Sequence, residues 1–440
     1  MSARSGFRGR ARWASVFAAC VLLTAPIVEA QVIANPSAAA TAMGGAFTAT
    51  ARGLDAPAWN PAGLAMPGTG AFSFAALLSF SLEGGSGPLG GKDFKPYSGD
   101  SIPFAVRKDW LRRIRANGGQ TVNGAGDFSL LALNIGSVGL AVTNSVHASG
   151  NIPADAAEVL LFGNYGYADS LRSYSLQGAR VDGSSITTAA LSYGFGFGNK
   201  ADRHFAIGVT GKYMIGNFLG IVKDAGSTVS SSPLDVSVNM LAIATDTGGP
   251  KDLPSRGTGY GVDIGAAWVG GPLKVGLVVH DIVNTFKWDV NNMYAQGMTE
   301  KFNANTRTST RTPWRKVSTL TGAARDSVDR VVSPLKIDPT AALGVSLHTA
   351  GAFTISSEYE TRLGDGMQTS PKTRLGAGVQ WKGIPFLPLR VGYSQTPDVS
   401  FYTGGLGLDF AIVRLDVGAG VNTKSSGDGI LAFTLSFGPH

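Results

Sequence analysis

The feature that most constrains this chain is a strict alternation of apolar residues with small or polar ones, in segments of roughly ten residues. In one such segment Leu375, Ala377 and Val379 alternate with Gly376 and Gly378. A period of two places the apolar side chains on one face of a β-strand. The pattern predicts strands near 70–80, 127–135, 137–147, 187–197, 204–216, 257–269, 272–283, 339–349, 351–361, 372–382, 387–396, 401–408, 410–420 and 428–437.

Two kinds of all-β protein produce this pattern: a soluble sandwich with apolar faces inward, and a membrane barrel with apolar faces toward lipid. The second face of the segments is crowded with Gly, Ala and Ser, and the chain has 60 Gly among 440 residues. Such a face suits a lumen that holds another segment better than it suits a solvent surface. The sequence therefore favours a transmembrane antiparallel β-barrel of about 14 strands.

Connection lengths indicate the orientation of this barrel. Short turns fall near 136, 200, 270, 350, 384 and 409, and longer connections lie between them. Outer-membrane barrels pair short periplasmic turns with long extracellular loops. The sequence thus predicts a protein of the outer membrane of a Gram-negative-type bacterium, with both termini periplasmic and membrane lipid as a partner. The long extracellular loops are predicted at 81–126, 148–186, 217–256 and 284–338.

The first thirty residues predict an export signal, because basic Arg4–Arg12 precede an apolar stretch, Ala14–Leu23, and a small-residue cleavage site before Gln31. The only cysteine, Cys20, lies in this stretch; a lipoprotein acylation site there is the alternative. Removal of the signal takes away four Arg and one Glu and lowers the formal charge from +7 to +4. A nucleic-acid partner is therefore not expected.

The end of the chain also follows the barrel pattern. Leu431, Phe433, Leu435 and Phe437 alternate with small residues before the overhang 438–440. This resembles the terminal-strand signal of outer-membrane barrels, which implies recognition by the barrel assembly machinery through the strand ending at Phe437. An ordinary final strand is the alternative. The predicted domains are a signal peptide at 1–30, an N-terminal segment at 31–68 and a barrel at 69–440.

The segment before the first strand carries a specific motif. Ala42-Met43-Gly44-Gly45-Ala46-Phe47 is followed by Asp55 and by Trp59-Asn60-Pro61-Ala62-Gly63-Leu64. This stretch resembles the N-terminal hatch of the FadL/TodX family of outer-membrane hydrophobic-compound transporters, a motif that PorV-like barrels share. The resemblance implies a plug inside the lumen and a gated path for apolar molecules. The implied hatch and gating residues are Gly44, Gly45, Phe47, Asp55, Asn60, Pro61 and Ala62.

The composition of this segment also favours a plug. It is too rich in small residues to form its own core, but Gly44, Gly45 and the alanines let its backbone pack closely in a narrow space. Pro61 fixes its own φ and favours a turn or extended conformation at Asn60, whose amide can bond nearby backbone. The alternative is a simple turn that leads into the first strand.

The resemblance implies passive uptake of a hydrophobic small-molecule ligand, either long-chain fatty acids or aromatic hydrocarbons, by a protein that is not an enzyme. The alternative function is that of a PorV-like barrel that docks or shuttles secreted proteins, which would then be its partners.

The chain shows little sign of catalytic or metal chemistry. Its five His residues have no metal-ligand spacing, and no cofactor motif is present. Charged residues on the small, polar strand faces are expected to line the lumen and pair with one another; an acid–base dyad among them is the alternative. The predicted lining residues are Asp263, His280, His348, Glu358, Glu360, Arg374, Arg390 and Arg414.

The long loops contain two further features. Arg107–Arg115 combine basic residues with Trp110, Leu111 and Ile114 and suggest an amphipathic helix, whose basic face could bind lipopolysaccharide phosphates or simply be solvated. Apolar loop patches suggest a ligand groove, or else packing of loops over the barrel mouth. The predicted groove residues are Leu160, Leu161, Phe162, Phe218 and Leu219.

Overall fold

The computed structural model describes residues 36–163, 166, 173–199, 203–231, 234–245, 256–303, 306–367, 371–397, 399–410, 412–423 and 428–438. The predicted signal peptide, Cys20 and the start of the predicted hatch at 31–35 lie outside these residues.

Fourteen antiparallel strands form a closed barrel, in which each strand pairs with its sequence neighbours and the first pairs with the last. The predicted fold is therefore confirmed, and each of the fourteen predicted segments overlaps one strand. The strands are β1 (Phe72–Gly87), β2 (Gly119–Ile135), β3 (Val138–Pro153), β4 (Arg180–Asn199), β5 (Arg203–Asp224), β6 (Gly257–Gly270), β7 (Leu273–Asn284), β8 (Thr340–Thr349), β9 (Phe353–Arg362), β10 (Thr373–Trp381), β11 (Leu389–Gln395), β12 (Ser400–Phe410), β13 (Val413–Asn422) and β14 (Gly429–Phe437).

The two faces of the barrel wall follow the alternation in the sequence. On β8, Leu343, Val345 and Leu347 are exposed on the outside, whereas Gly344 and Ser346 are buried inside. The apolar outer face and polar inner face are the reverse of a soluble sandwich, so the outer surface matches a lipid environment.

Aromatic side chains occupy two levels of the outer surface. On β5, Phe205 lies near the short turn that precedes the strand and Tyr213 lies farther toward the loops, where it packs on Tyr260 of β6 with ring centroids 5.3 Å apart. The apolar residues Ile207 and Val209 are exposed between them. An apolar band between two aromatic levels is the arrangement that outer-membrane barrels place across the bilayer.

Short turns join the strands at one end of the barrel, and the four longest connections, together with 363–372, join them at the other. The connection 396–399 at this second end is also short. The strands run farther into the long connections than predicted, because the backbone ladder continues beyond the apolar band; β5, for example, continues to Asp224. The predicted loop bounds are therefore corrected to 88–118, 154–179, 225–256 and 285–339.

The long connections carry their own secondary structure. Their helices are Gly91–Phe94, Phe104–Ala116, Ala154–Phe162 and Gly322–Val332, with 3-10 turns at Lys95–Tyr97, Val290–Asn292 and Val317–Thr319. Their strands are Ser173–Ser175, Thr228–Ser231, Leu234–Thr245, Lys287–Trp288, Met293–Asn303, Arg307–Arg311 and Arg315–Lys316. One more 3-10 turn, Ala350–Ala352, lies in a short connection. No helix among the described residues is both long and apolar enough to span a bilayer.

Two apolar clusters order the loop end of the barrel. One is built around Trp288, Met293 and the helix Gly322–Val332, and it packs against the inner face of β5 at Leu219. The other joins the helices Phe104–Ala116 and Ala154–Phe162 through Trp110, Ile114 and Ala157. The first of these helices buries Trp110, Leu111 and Ile114, so the predicted amphipathic helix is confirmed.

Candidate functional site

Residues 36–68, here called the hatch, fill the lumen at the end with the short turns. The hatch contains the helices Ala38–Ala42 and Ala56–Trp59 and the 3-10 turns Gly53–Asp55 and Pro61–Ala65. The first helix lies against β11 to β14, the turn Gly53–Asp55 against β1 to β3, and the turn Pro61–Ala65 against β4 to β6. Residues between these elements approach β7 to β10. The hatch thus contacts every strand of the barrel.

Glycines in the wall make this close fit possible. A Cβ placed on Gly208 of β5 would lie 2.2 Å from the carbonyl carbon of Pro61, and one on Gly376 of β10 would lie 2.5 Å from the Gly44 oxygen. Real Cβ atoms do not approach other atoms this closely. The same crowding by hatch atoms, under 3.0 Å, recurs at Gly139, Gly194, Gly265, Gly276, Gly344, Gly378, Gly392, Gly405 and Gly418.

The paired glycines of the hatch fit the wall for two reasons. Gly44 and Gly45 have φ of +64° and +78°, in the left-handed region that favours glycine. A Cβ on Gly44 would also lie 2.3 Å from the Tyr393 oxygen, and one on Gly45 would lie 1.8 Å from Nη1 of Arg374. Both backbone conformation and space therefore require glycine here.

Asn60 and Pro61 begin the last turn of the hatch. The Asn60 side chain accepts a hydrogen bond from the Ala62 nitrogen at 3.1 Å and caps the 3-10 turn Pro61–Ala65. Its amide nitrogen donates to the Ala266 oxygen of β6 at 3.0 Å and to the Thr48 oxygen at 3.3 Å. Asn60 thereby ties two parts of the hatch to one strand. The alternative of a simple turn into the first strand is wrong, because Asn60 is fully buried against β6.

A buried carboxylate holds the middle of the hatch. Glu358 of β9 accepts hydrogen bonds from the backbone nitrogens of Phe47 and Thr48 at 2.9 and 2.7 Å. Its other oxygen pairs with Arg374 of β10 at 2.8 Å, and Arg374 also pairs with Glu360. Arg374 donates in addition to the Gly44 oxygen at 3.3 Å. One wall network therefore binds two hatch segments.

Two other ion-pair groups line the wall. Arg390 and Arg414 both pair with Asp416, at 2.6 and 2.7 Å. On the opposite wall, Nζ of Lys212 lies 2.7 Å from both Asp263 and Asp281. His280 also contacts Asp263, at 3.2 Å. Buried charges of this kind need partners, and the strand register supplies them.

Two chambers lie between the hatch and the long loops. The inner chamber, about 190 Å³, has Thr48, Pro57, Ala58 and Trp59 of the hatch as its floor. The outer chamber, about 670 Å³, lies between the ends of β2 to β4 and the loop segments near 330–335, 362–367 and 371–372. His147 lines both, so the chambers adjoin.

The structure brings most of the predicted lumen residues together. Glu358, Glu360 and Arg374 form one network, Asp263 and His280 a second, and Arg390 and Arg414 a third. His348 faces the short-turn end, where it is exposed and contacts Thr354. Among the predicted hatch residues, Phe47 packs edge-on against Trp59, with ring centroids 5.5 Å apart, and Asp55 lies near Ser37 and Arg414.

The five predicted groove residues do not form one groove. Leu161 packs in the cluster of the two loop helices, and Phe162 packs on Phe104 with ring centroids 5.6 Å apart. Phe218 and Leu219 belong to β5 and point to opposite sides, since Phe218 is exposed and Leu219 is buried. Leu160 is exposed on its helix. The predicted groove is wrong because β5 continues past the bilayer. Phe218 and Leu219 therefore point to opposite faces of this strand instead of lying together in a loop.

Sequence reasoning missed several residues of the site. Asp281 lies at a bulge of β7 with φ of 54°, so its side chain reaches the lumen out of turn with the alternation. Thr403 of β12 and Thr434 of β14 donate to the hatch oxygens of Ala42 and Pro36 at 3.1 and 3.2 Å. Both threonines lie on the predicted inner face of their strands. That position in the alternation is the only feature of the sequence that could have indicated a contact with the hatch.

Within the described ranges no group of three or more His, Cys, Asp or Glu side chains has the arrangement of a metal site.

Comparison with known proteins gives one family. The model of DUF5723, described as a family of unknown function, matches residues 63–415. The chain belongs to this family. None of the curated proteins matches the sequence of this DUF5723 barrel. The family match begins within the hatch, at Gly63, and extends to Leu415 in β13.

Several solved structures are similar to this DUF5723 barrel. The toluene transporter TodX of P. putida is 11% identical, with a TM-score of 0.46, over 92% of this chain and 98% of that chain. The toluene transporter TbuX of Ralstonia pickettii is 11% identical, with a TM-score of 0.47, over 93% and 100%. A FadL homologue of Pseudomonas aeruginosa is 12% identical, with a TM-score of 0.42, over 95% and 100%.

Proposed function

We propose that this chain is an outer-membrane channel for passive uptake of hydrophobic small molecules. The observation that supports it is the hatch, which contacts all fourteen strands and closes the lumen below two chambers that adjoin the long loops. A barrel this wide cannot be filled by its own side chains. The hatch continues into β1, but its contacts with the rest of the described wall are hydrogen bonds and close packing, so it provides both a seal and a gate.

The inner chamber supports a hydrophobic cargo. Trp59 and Pro57 of the hatch, with Met214, Ile186 and Ile337 of the wall and loops, form an apolar part of its lining beside the charged residues. Apolar side chains at the end of a cavity favour binding of a small molecule with little polar surface. In the proposed path the cargo enters from the loops, rests on Trp59 and leaves when the hatch shifts.

The orientation is part of this proposal. The long loops face the outside of the cell, and the short turns and both termini face the periplasm. The outer-membrane location is supported by the apolar band and the two aromatic levels of the wall.

Uptake by whole cells tests the function. Cells of a host without its own transporter would express the protein, and entry of radiolabelled dodecanol and of an alkylbenzene would be measured. We expect faster entry of both than in cells with an empty vector. The matched control is the same barrel with its hatch fixed by a disulfide, which should take up neither. Equal uptake in all three strains would contradict the proposal.

A second candidate function is docking of secreted polypeptides, favoured by the exposed loop strand Arg307–Arg311. All five of its residues are exposed, and it pairs with Met293–Asn303. An exposed edge strand can accept another strand. Co-purification of secreted polypeptides that is lost on the substitution Ser309→Pro would support it. If the Ser309→Pro variant binds the same polypeptides, this strand is not their docking site.

Two partner proposals accompany the channel. The basic helix Phe104–Ala116 is proposed to contact lipopolysaccharide phosphates through Arg107, Lys108 and Arg112. Binding of purified lipopolysaccharide that is unaffected by Arg112→Ala and Lys108→Ala together would contradict this.

The strand ending at Phe437 is proposed to be recognised by the barrel assembly machinery. Deletion of 437–440 should then reduce assembly of the barrel in cells.

A further inference from the structure

The two chambers of the lumen differ in the sign of their charge. The described lining of the outer chamber has five basic and two acidic side chains, a formal charge of +3 with His neutral. That of the inner chamber has five acidic side chains and one Lys, a formal charge of −4 with both of its His neutral. The buried Arg374 behind Glu358 and Glu360 brings this to −3. The charged residues are Arg180, Asp182, Lys223, Arg330, Arg362, Asp365 and Lys372 in the outer chamber, and Lys212, Asp263, Asp281, Asp338, Glu358 and Glu360 in the inner one.

The charges of the inner chamber are held by structure. Lys212 is shared by two carboxylates, Asp263 and Asp281, and Arg374 is shared by Glu358 and Glu360. With His280, which contacts Asp263, counted as neutral, each of these basic groups leaves one negative charge in excess. Asp338 adds a third, and its carboxylate accepts a hydrogen bond from the Gly366 nitrogen at 2.5 Å. The excess negative charge is therefore fixed around the cavity that the hatch closes.

A confined lumen makes such charges effective. Charges of one sign that line a cleft with low-dielectric walls focus the field and change the local concentration of ions. Screening by salt acts over about 8 Å in physiological solution and is weaker for partly buried groups. An ion in either chamber thus experiences mainly the charges of that chamber.

We propose that the two chambers act in series as a bipolar charge filter, so that the cargo that crosses the lumen is uncharged. A cation is repelled in the outer chamber and an anion in the inner one, whereas a neutral molecule meets neither barrier. This inference rests on the proposed channel function and refines its cargo. It favours hydrocarbons and other uncharged apolar molecules over the carboxylates of fatty acids.

Thiol reagents of different charge test the filter without any transport. The sequence predicts that the mature chain has no cysteine, so single cysteines can report the local potential. Ala58→Cys places a thiol on the floor of the inner chamber, and Ser149→Cys places one in the outer chamber. The rates of reaction with cationic, neutral and anionic methanethiosulfonates would be measured on the purified full-length barrel, each relative to a free thiol.

We expect the cationic reagent to react faster than the anionic one at Ala58→Cys, by about tenfold, and slower at Ser149→Cys. Adding Asp281→Asn, Asp338→Asn and Glu360→Gln to Ala58→Cys should remove the preference. The matched control neutralises three carboxylates that line neither chamber, Asp109, Glu300 and Asp326, and should leave it intact.

The same order of rates at both cysteines would overturn the charge filter, as would a thiol at Ala58→Cys that reacts with none of the three reagents. Because these rates need no cargo, the filter can fail while uptake of dodecanol succeeds, and the reverse. In cells, the filter predicts at least tenfold slower uptake of dodecanoate than of dodecanol. Equal uptake of the two would contradict it.

Discussion

The carboxylate of Glu358 on the barrel wall lies 2.7 Å from the backbone nitrogen of Thr48 in the hatch. The same side chain pairs with Arg374, and both side chains are only 1% exposed. The buried Glu358–Arg374 pair of the wall therefore binds the hatch through both of its members. The hatch is held by polar contacts at defined points, and these contacts can be broken one at a time.

Replacing Glu358 tests how much its carboxylate contributes to the stability of the barrel. Glu358→Gln keeps an acceptor for the hatch nitrogens but removes the charge that faces Arg374. A buried charge left without any partner costs roughly 3–5 kcal/mol. Because Arg374 keeps Glu360 as a partner, we expect a smaller loss, about 2 kcal/mol, in the free energy of unfolding in lipid vesicles. The control is Glu300→Gln, which breaks an exposed loop pair with Arg307 and should cost under about 1 kcal/mol. Equal losses for the two variants would remove Glu358 from its proposed anchoring role.

Wall glycines provide a second test. Gly208→Ala introduces a methyl group where Pro61 already lies, so we expect the hatch to be displaced and the barrel to leak small polar solutes. Gly211→Ala, on the same strand, has no other atom within 4 Å of the new carbon and should stay tight. Swelling of liposomes in a sugar solution measures the difference. A tight Gly208→Ala barrel would mean that the hatch does not seal the lumen at β5.

The sequence predicted the barrel well, because alternation and turn chemistry are local. Leu343 faces outward because it is apolar and Gly344 faces inward because it is small, and both properties can be read from the sequence. The hatch motif and the charged wall residues were also predicted, since their residue types are unusual in such places.

Pairing across the lumen could not be predicted. Ala62 lies against Gly208, whereas Gly378 and Gly392 contact Met43 and Gly44, and nothing in the local sequence distinguishes these wall glycines. The path of the hatch through the lumen depends on contacts between residues far apart in sequence. The bulge that turns Asp281 inward likewise follows from strand register, which the alternation alone does not reveal.

The lipid-facing surface gives a third prediction. Leu343→Arg places a charge on the apolar outer face of β8 and should cost roughly 2–4 kcal/mol if it lies near the bilayer midplane. Leu363→Arg, just beyond the loop end of β9, should cost about 0–1 kcal/mol. Both leucines are exposed, Leu343 by 47% and Leu363 by 61%, so burial in the protein does not explain a large difference. Urea unfolding in vesicles measures it, and equal costs would mean that the faces are assigned wrongly.

The first long loop is expected to loosen in acid. Partial burial raises the pKa of Asp93, but hydrogen bonds from Arg113 and the Gly90 nitrogen outweigh it and hold this pKa below its ordinary value. A lowered pKa stabilises the loop above the ordinary carboxyl range, near pH 4, and this stabilisation is lost as the pH falls through the folded value.

Pepsin cleavage of loop 88–118 should therefore rise as the pH drops below about 4. In Asp93→Asn the loop should be cleaved readily throughout the range from pH 2 to 5. The cleavage of the wild-type loop is compared with that of Asp93→Asn at each pH. If this ratio does not change with pH, the Asp93–Arg113 pair does not stabilise the loop.

In the proposed channel the hatch closes the lumen and must move for cargo to pass. A Cβ on Gly344 of β8 would lie 3.4 Å from the Cβ of Ala49 in the hatch, close to the separation in a disulfide. The pair Ala49→Cys and Gly344→Cys should therefore crosslink, whereas Ala62→Cys with Gly378→Cys should not. The decisive measurement is dodecanol uptake by cells that carry the crosslinked pair, before and after reduction. We expect no uptake until the disulfide is reduced and wild-type uptake afterwards; full uptake with the disulfide intact would show that the hatch need not move.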